Sequence, residues 1–236
     1  MTKLSITSKS ALEPSAHLVG WDTEFWGRRI GRTNGADIDR WAAENTIGTV
    51  CLLVSANKPE EAQDAESRGF RFMDVRIELQ RRTAPIAAIC RAARELDLPA
   101  LAALAREAHR ITRFYADPEF VDARCDDLYE AWIRNSFAGW ARAVLVSEID
   151  GELAGYCTIH VDEQAGSIGL IAVRPDYRNR GIGAELVEAA IDWCHAHEIH
   201  EITVVTQGRN IAAQRVFQRC GFRTSHVDLW FHKAYA

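Results

Sequence analysis

Along the middle of the chain, apolar residues recur at Leu98, Leu101, Ala102, Ala105 and Ala108, a spacing of three and four that predicts one buried helical face. Asp97 supplies a cap and Pro99 suits a first turn, so a helix is predicted from there to about His109. A second is predicted over Asp126 to Phe137, with Leu128, Ala131, Trp132 and Asn135 on one side. Between them lies RITRFYADPEF, polar and aromatic, in which Pro118 excludes a long helix and favours a loop facing substrate. The pattern then changes period. ARAVLVSEID and GELAGYCTIHVDE are β-rich runs meeting at Asp150-Gly151, a two-residue hairpin signal. Ser167 to Val173 (SIGLIAV) predicts a third strand, followed by a helix whose face carries Leu186, Val187, Ala190, Ile191 and Cys194. Glu201 to Thr206 predicts a buried strand, Asn210 to about Arg219 a helix closed by Gly221, and HVDLWFH a last strand. With an alternating strand before Thr83, the order is β, α, α, β, β, β, α, β, α, β, a mixed α/β class.

Arg81, Arg82 and then Pro85 end the first alternating segment, which puts a domain boundary between residues 85 and 86. Cys51 to Leu79 parallels Ile202 to Trp230: strand, Asn, helix, Gly-Phe, strand. Ala62-Gln63 stands against Ala213-Gln214 and Gly69-Phe70 against Gly221-Phe222, with one residue of offset. Either this is a half-repeat, with a strand edge to pair against the main sheet, or it is chance.

With 47% hydrophobic and 26% charged residues in 236, the composition is that of a globular protein and excludes a disordered chain. A net charge of -5 argues against a nucleic-acid partner bound through bulk electrostatics. No apolar run approaches the about 18 residues of a membrane span, and MTKLSITSKS lacks a signal peptide's apolar core, so a cytoplasmic protein is expected. Cys51, Cys90, Cys125, Cys157, Cys194 and Cys220 stand singly, as reduced core thiols rather than metal ligands.

The segment Arg178-Asn179-Arg180-Gly181-Ile182-Gly183-Ala184 links a predicted strand to a predicted helix. Successive amides at a helix start, approached closely past glycines, form an anion cradle, and Arg174, Arg178 and Arg180 add positive charge there. A phosphate-bearing ligand is implied, although a plain strand-to-helix turn uses the same glycines. Leu186 stands where a dinucleotide fingerprint needs its third glycine, and no P-loop GKS or GKT occurs.

With LIAVRPDYR before it and Asn210-x-x-Ala213-x-x-Val216-Phe217-x-x-x-Gly221-Phe222 after it, this motif resembles the GNAT acetyltransferase superfamily over about Ile86 to Ala236. The resemblance implies a GNAT fold, a mixed central sheet with flanking helices, in residues 86–236, with residues 1–85 as a partial GNAT-like half. It implies acetyl-CoA as cosubstrate, no metal, and a small-molecule amine as acceptor. Ile171, Ala172 and Val173 would present backbone groups to the pantetheine and thioester, Arg178, Arg180, Gly181, Ile182, Gly183 and Ala184 would line the pyrophosphate, and Asn210 and Ala213 would flank the pantetheine arm. An amide near Ile171 or Ala172 suits an oxyanion donor. The chain is also similar to the dTDP-fucosamine acetyltransferase group, which acetylates a dTDP-4-amino-4,6-dideoxy sugar. That likeness rests on Trp21-Asp22-Thr23-Glu24-Phe25-Trp26-Gly27, on Arg113-Phe114, on Leu128-Tyr129-x-x-Trp132-Ile133-x-Asn135, and on Val205-Thr206-Gln207.

The chain departs from the superfamily at Phe217, seven residues after Asn210, where members often carry a Tyr that protonates the CoA thiolate. A thiol of pKa about 8.5 leaves tolerably as thiolate, and water, Tyr115 or Tyr156 could substitute. Ser167 to Leu170 offers no base, so His160 on the neighbouring strand is the first candidate, against its reading as a surface histidine, with Asp117, Glu119 and Asp162 behind it. Trp21, Phe25 and Trp26 form either a stacking wall for sugar or base or simply core. Arg113, with Phe114 and Tyr115, suits a diphosphate or is a solvated loop residue. The expected activity is N-acetylation of a nucleotide-linked amino sugar by direct attack on the thioester. The rivals are a peptide or protein N-acetyltransferase and, favoured by Phe217, a non-catalytic acyl-CoA-binding module. Exposed sheet edges would also allow a homodimer.

Overall fold

The computed structural model describes residues 16–33, 38–163 and 165–235. The N-terminal elements are β1 (Ala16–Leu18), α1 (Gly20–Trp26), β2 (Ile30–Thr33), α2 (Ile38–Glu44), β3 (Thr49–Ser55), α3 (Pro59–Ser67) and β4 (Arg71–Arg82). After an irregular stretch come β5 (Arg91–Ala92), α4 (Leu98–Ala108), the single turn α5 (Arg113–Ala116) and α6 (Asp122–Asn135). The remainder is β6 (Ala143–Ile149), β7 (Glu152–Asp162), β8 (Ala165–Val173), α7 (Ile182–Ala196), β9 (Glu201–Gln207), α8 (Ile211–Arg219) and β10 (Arg223–Ala234). The expected mixed α/β architecture is present, and local chemistry accounts for it. Asp150 and Gly151 both take positive φ, 52° and 80°, the geometry whose twist matches a tight hairpin. Helix α6 begins a turn before its expected start because Cys125, fully buried, acts as an apolar anchor within the polar run DARCDD.

All ten described strands join one sheet, in the order β1-β2-β3-β10-β4-β9-β8-β7-β6-β5. Strand β2 runs parallel to β3, and β8 parallel to β9, while β3–β10, β10–β4 and β4–β9 are antiparallel. The pairings are therefore mirrored about the β10–β4 seam. Units β3-α3-β4 and β9-α8-β10 share one topology, each lending its last strand to the other. Their helix ends match too. Gly69 and Gly221 have φ of 81° and 83°, and the next residue's amide reaches back, Phe70 to the Ala65 carbonyl and Phe222 to that of Phe217. In each case a left-handed glycine stops the helix and a buried phenylalanine locks the exit. The boundary expected after residue 85 falls in irregular chain, yet the sheet's hydrogen bonds run across it, from β4 to β9 and β10.

The helices cover opposite faces. Leu186, Val187 and Ile191 of α7 and Phe217 of α8 pack with Leu79, Cys157, Ile168 and Val204. Leu101 and Leu104 of α4 and Leu128 and Ile133 of α6 pack with Val146, Tyr156, Leu170 and Ala172 on the other side. The stripe expected on α7 is buried throughout, and that on α4 at Leu101, Ala102 and Ala105. On α6 only Leu128 of the expected face is buried, and the core side is instead Cys125, Leu128, Tyr129 and Ile133. Each buried Leu, Ile or Val contributes roughly 1.5–3 kcal/mol.

Candidate functional site

Strands β8 and β9 are paired only from Ala165–Glu201 to Ile168–Val204, and beyond that the two part. The separation begins at a bulge. Cys157 faces Ile171 but Ile159 faces Ile168, so Thr158 spans both Gly169 and Leu170. The Leu170 amide leaves the ladder and donates to Thr158 Oγ1 at 2.8 Å. Only glycine fits at 169, because a Cβ there would lie 2.5 Å from the His160 ring. Past the bulge the Arg174 amide donates to the Ala154 carbonyl at 2.9 Å, so the period-two alternation ties Ala172 to Tyr156. The backbone groups of Ile171 and Val173 therefore point towards β9, into the opening.

At the same end of the sheet, Asn179 and Gly181 take φ of 61° and 87° and turn the chain into α7. The amides of Ala184 and Glu185 return to the Gly181 carbonyl, whereas those of Ile182 and Gly183 lie in the first turn, where a helix has no acceptor of its own. A Cβ on Gly183 would meet nothing closer than 3.8 Å, which leaves room against the backbone for a ligand. Arg174 is held by Glu152 at 3.0 Å and Asp176 at 3.4 Å, so its charge is spent. Arg178 and Arg180 have no carboxylate partner among the described residues and remain for an anion, although Arg178 Nε also reaches the Val173 carbonyl at 3.3 Å. Asn210 Oδ1 caps α8 by accepting from the Ala213 amide at 3.2 Å, which leaves its NH₂ to donate to an acceptor elsewhere. These features fit a CoA pyrophosphate and pantetheine.

A cavity of about 1690 Å³ runs through the opening and is lined from both faces of the sheet. Ile171, Ala172, Val173, Arg178, Gly181, Ile182, Gly183, Ala184, Asn210, Ala213 and Phe217 border it, while Arg180 stands outside its lining. On the α4–α6 side its wall carries Arg113, whose guanidinium lies 4.2 Å from the Phe114 ring and 4.3 Å from the Trp230 ring. Arg209 reaches the Thr112 carbonyl at 3.3 Å and fixes this loop to the turn after β9. Asp74, Arg76 and Glu78 alternate along β4 on the same wall, and Arg76 bridges Glu78 at 2.7 Å and Asp228 at 3.0 Å.

Of the other expected site residues, Phe114 and Asp162 border the cavity and the rest lie outside its lining. Tyr156 is fully buried, its hydroxyl 3.0 Å from His109 Nε2, and burial drives its pKa well up. Tyr115 donates to Asp126 at 2.6 Å, and burial with that carboxylate raises its pKa likewise, so neither phenol is an available acid. His160 lies against Gly169 with Nε2 3.2 Å from Thr158 Oγ1, off the cavity lining, and burial lowers its pKa. His109, which does line the cavity, is pushed down to about 4 by burial. Trp26 packs on Phe120 at 4.5 Å and Phe114 at 5.7 Å, as core and not as an open stacking wall. Phe114 is 1% exposed and serves as backing for Arg113. Asp117, a lesser candidate base, is taken by His232 at 2.7 Å.

Sequence reasoning missed two groups. Asp74 follows the polar alternation of Asp74, Arg76 and Glu78 against Val75, Ile77 and Leu79, a signal that was there to find. Cys51, opposite His232 across β3 and β10, had none, since it depends on the strand exchange. Burial would raise the Cys51 thiol, but His232, with Arg113 and Arg32, outweighs it and holds the thiol below its ordinary value. Burial pushes the other cysteines up, Cys90, Cys125 and Cys194 to about 12 and Cys220 to about 11.

Residues 98–222, just over half of the chain, match the acetyltransferase (GNAT) family, and the chain belongs to it. It is an acyltransferase of the class that moves acetyl from acetyl-CoA to an amine. It is 26% identical over 235 residues to a dTDP-fucosamine acetyltransferase of Escherichia coli O6:H1, covering 95% of this chain and 99% of that one. It is also 26% identical over 136 residues to the spore coat polysaccharide biosynthesis protein SpsD of Bacillus subtilis, where it spans about half of the relative, 47%, and 58% of itself. A GCN5-related N-acetyltransferase from Sphaerobacter thermophilus shares the fold with a TM-score of 0.66 at 16% identity, over 93% of this chain and 76% of that one. A tandem GNAT protein from the clavulanic acid biosynthesis pathway does so with a TM-score of 0.57 at 12% identity, over 87% and 75%. Among the described residues no helix is long and apolar enough to cross a membrane.

Proposed function

We propose that this chain acetylates the amine of a nucleotide-linked amino sugar of the dTDP-4-amino-4,6-dideoxy type. The observation that carries the reading is the cavity wall opposite the cofactor cradle, where Arg113 is fixed between Phe114 and Trp230 on a loop that Arg209 holds from behind. A guanidinium held in place by aromatic rings suits a diphosphate. Likeness along 95% of the chain to a dTDP-fucosamine acetyltransferase supports the same reading.

In this account Arg178, Arg180 and the amides of Gly181, Ile182 and Gly183 hold the pyrophosphate of acetyl-CoA, with Ala184 lining the cradle through its side chain. Asn210 and Ala213 flank the pantetheine, and Phe217 packs beneath it. The Ile171 amide, freed from the ladder, hydrogen-bonds the thioester carbonyl as charge develops on its oxygen. The amine attacks that carbonyl carbon in a ternary complex. The C–N bond forms, the C–S bond breaks, and CoA leaves as thiolate, which takes the proton shed by nitrogen through water. With Phe217 in place no protein hydroxyl is assigned to that protonation.

The test is release of free CoA from acetyl-CoA across a panel of nucleotide-linked amino sugars, polyamines and basic peptides, with mass spectrometry of the acceptor. Turnover confined to a dTDP-amino sugar is expected. Turnover on peptides alone would replace the reading with a peptide N-acetyltransferase, and acetyl-CoA binding without turnover would leave an acyl-CoA-binding module.

A further inference from the structure

The polar face of β4 holds one carboxylate whose environment differs from its neighbours. Glu78 and Asp228 are both engaged by Arg76. Asp74, two residues before Arg76 on the same face, is 5% exposed and lines the cavity. One of its oxygens accepts the Val75 amide at 2.9 Å. The other has no hydrogen-bond donor among the described residues. Among the described residues no cation forms an ion pair with it, and Arg209 and Arg113 act on it only from a distance. That oxygen opens to the cavity, and a carboxylate largely enclosed by protein with one oxygen left to the cavity favours a cationic donor arriving from there.

Its position suggests which donor. Asp74 is opposite Trp230 on β10, beside the ring that holds Arg113. The next carbonyl, that of Val75, accepts the Gly208 amide at 2.8 Å, which fixes this part of β4 against the turn leaving β9. A Cβ on Gly208 would lie 2.7 Å from Val75 Cβ, so the approach is as close as the two backbones allow. That turn continues from the unpaired end of β9, where the cavity crosses the sheet. The wall thus carries a carboxylate and the Arg113 guanidinium together, with Arg209 behind it holding the Arg113 loop, an arrangement that suits an acceptor with one ammonium and an anionic diphosphate.

Resting on the amino-sugar reading above, we infer that Asp74 is the group that binds the acceptor's ammonium and, once that ammonium has given one proton to water, accepts a hydrogen bond from the neutral amine and orients it towards the thioester. The ionisable groups facing it are Arg209 from the turn after β9, Arg113 from α5 and Tyr129 from α6. Burial raises the Asp74 carboxyl above its ordinary value, against the lowering effect of Arg209, the Val75 amide and Arg113, so loss of ammonium binding on protonation sets in at a higher pH than for an exposed aspartate.

The experiment compares wild type with Asp74→Asn and Asp74→Glu on dTDP-4-amino-4,6-dideoxygalactose, with the 4-hydroxy counterpart as competitive inhibitor. The charge-assisted contact should make acceptor KM rise on the order of tenfold to a hundredfold in Asp74→Asn. KM for acetyl-CoA should stay unchanged, the acid limb of kcat/KM should vanish, and Asp74→Glu should recover part of the loss. Wild type should prefer amine to hydroxyl, and Asp74→Asn should not. If Asp74→Asn does not fold, the wild-type preference must still decline as pH falls through the acid limb. Unchanged acceptor KM, or a parallel rise in both KM values, overturns the assignment while leaving the amino-sugar reading intact. If wild type acetylates a different amine, that reading fails and the same variants are measured on that amine, where Asp74 dependence sustains the assignment. No turnover of any amine overturns both.

Discussion

The units β3-α3-β4 and β9-α8-β10 share a topology and a helix stop, yet they do different work. In the second, Asn210 caps α8 through its side chain and Phe217 buries the helix against the sheet. In the first, Lys58 at the equivalent place makes no side-chain cap, and Ala65 is the only buried residue of α3. The second unit borders the cofactor cradle, while the first contributes Asp74 and Arg76 to the opposite wall. The difference teaches that two units of one topology can differ in the groups they present to the cavity while each stays necessary to the sheet, because the exchange of β4 and β10 makes each unit's strands part of the other's sheet.

That mutual dependence is the easiest part of the comparison to break. Residues 86–236 expressed alone leave β9 without β4 and β10 without either neighbour, so no cooperative unfolding transition is expected by circular dichroism. A cooperative transition would mean the C-terminal part folds by itself. The next largest effect is expected at Asp117 and His232, a buried pair joining the loop before α6 to the exchanged strand β10. Removing one partner of a buried pair costs about 3–5 kcal/mol, so Asp117→Asn should lower stability by that amount in denaturant titration. Burial opposes both charges, yet the Asp117 pKa is net lowered by His232, and the His232 pKa net raised by Cys51 and Asp117. A lowered carboxyl contributes stability above its unfolded pKa, lost as pH falls through the folded value. A raised imidazole contributes fully below its unfolded pKa, and the contribution is lost as pH rises through the folded value. The pair should therefore stabilise most between those two limits, and Asp117→Asn should flatten the profile there.

A smaller effect sharpens the donor side. Phe217→Tyr should restore a general acid beside the leaving thiolate and raise kcat by about tenfold or more, read in the CoA-release assay. No gain would show that thiolate departure does not limit the rate.

Legibility followed the range of the forces involved. Helices α4 and α7 were readable because their apolar stripes are local, as was the Asp150-Gly151 hairpin, whose chemistry resides in two adjacent residues. The strand-to-helix turn at Gly181 to Gly183 was readable for the same reason. Strand exchange was not, since β10 meets β3 and β4 only through pairings more than 140 residues apart, as in the Arg76–Asp228 bridge with its separation of 152. Asp117 with His232, at a separation of 115, was hidden likewise. His160 was misplaced because alternation gives its face but not the bulge at Gly169, where its ring packs. Trp26 and Phe114 carried an aromatic signal that cannot distinguish a stacking wall from a core.

The division between donor and acceptor walls is tested most directly by steady-state kinetics of Arg178→Ala and Arg113→Ala with both substrates varied. The account predicts a crossed result. Arg178→Ala raises KM for acetyl-CoA and leaves the acceptor's unchanged, while Arg113→Ala raises the acceptor's alone. Equal rises in both constants for either variant would contradict it.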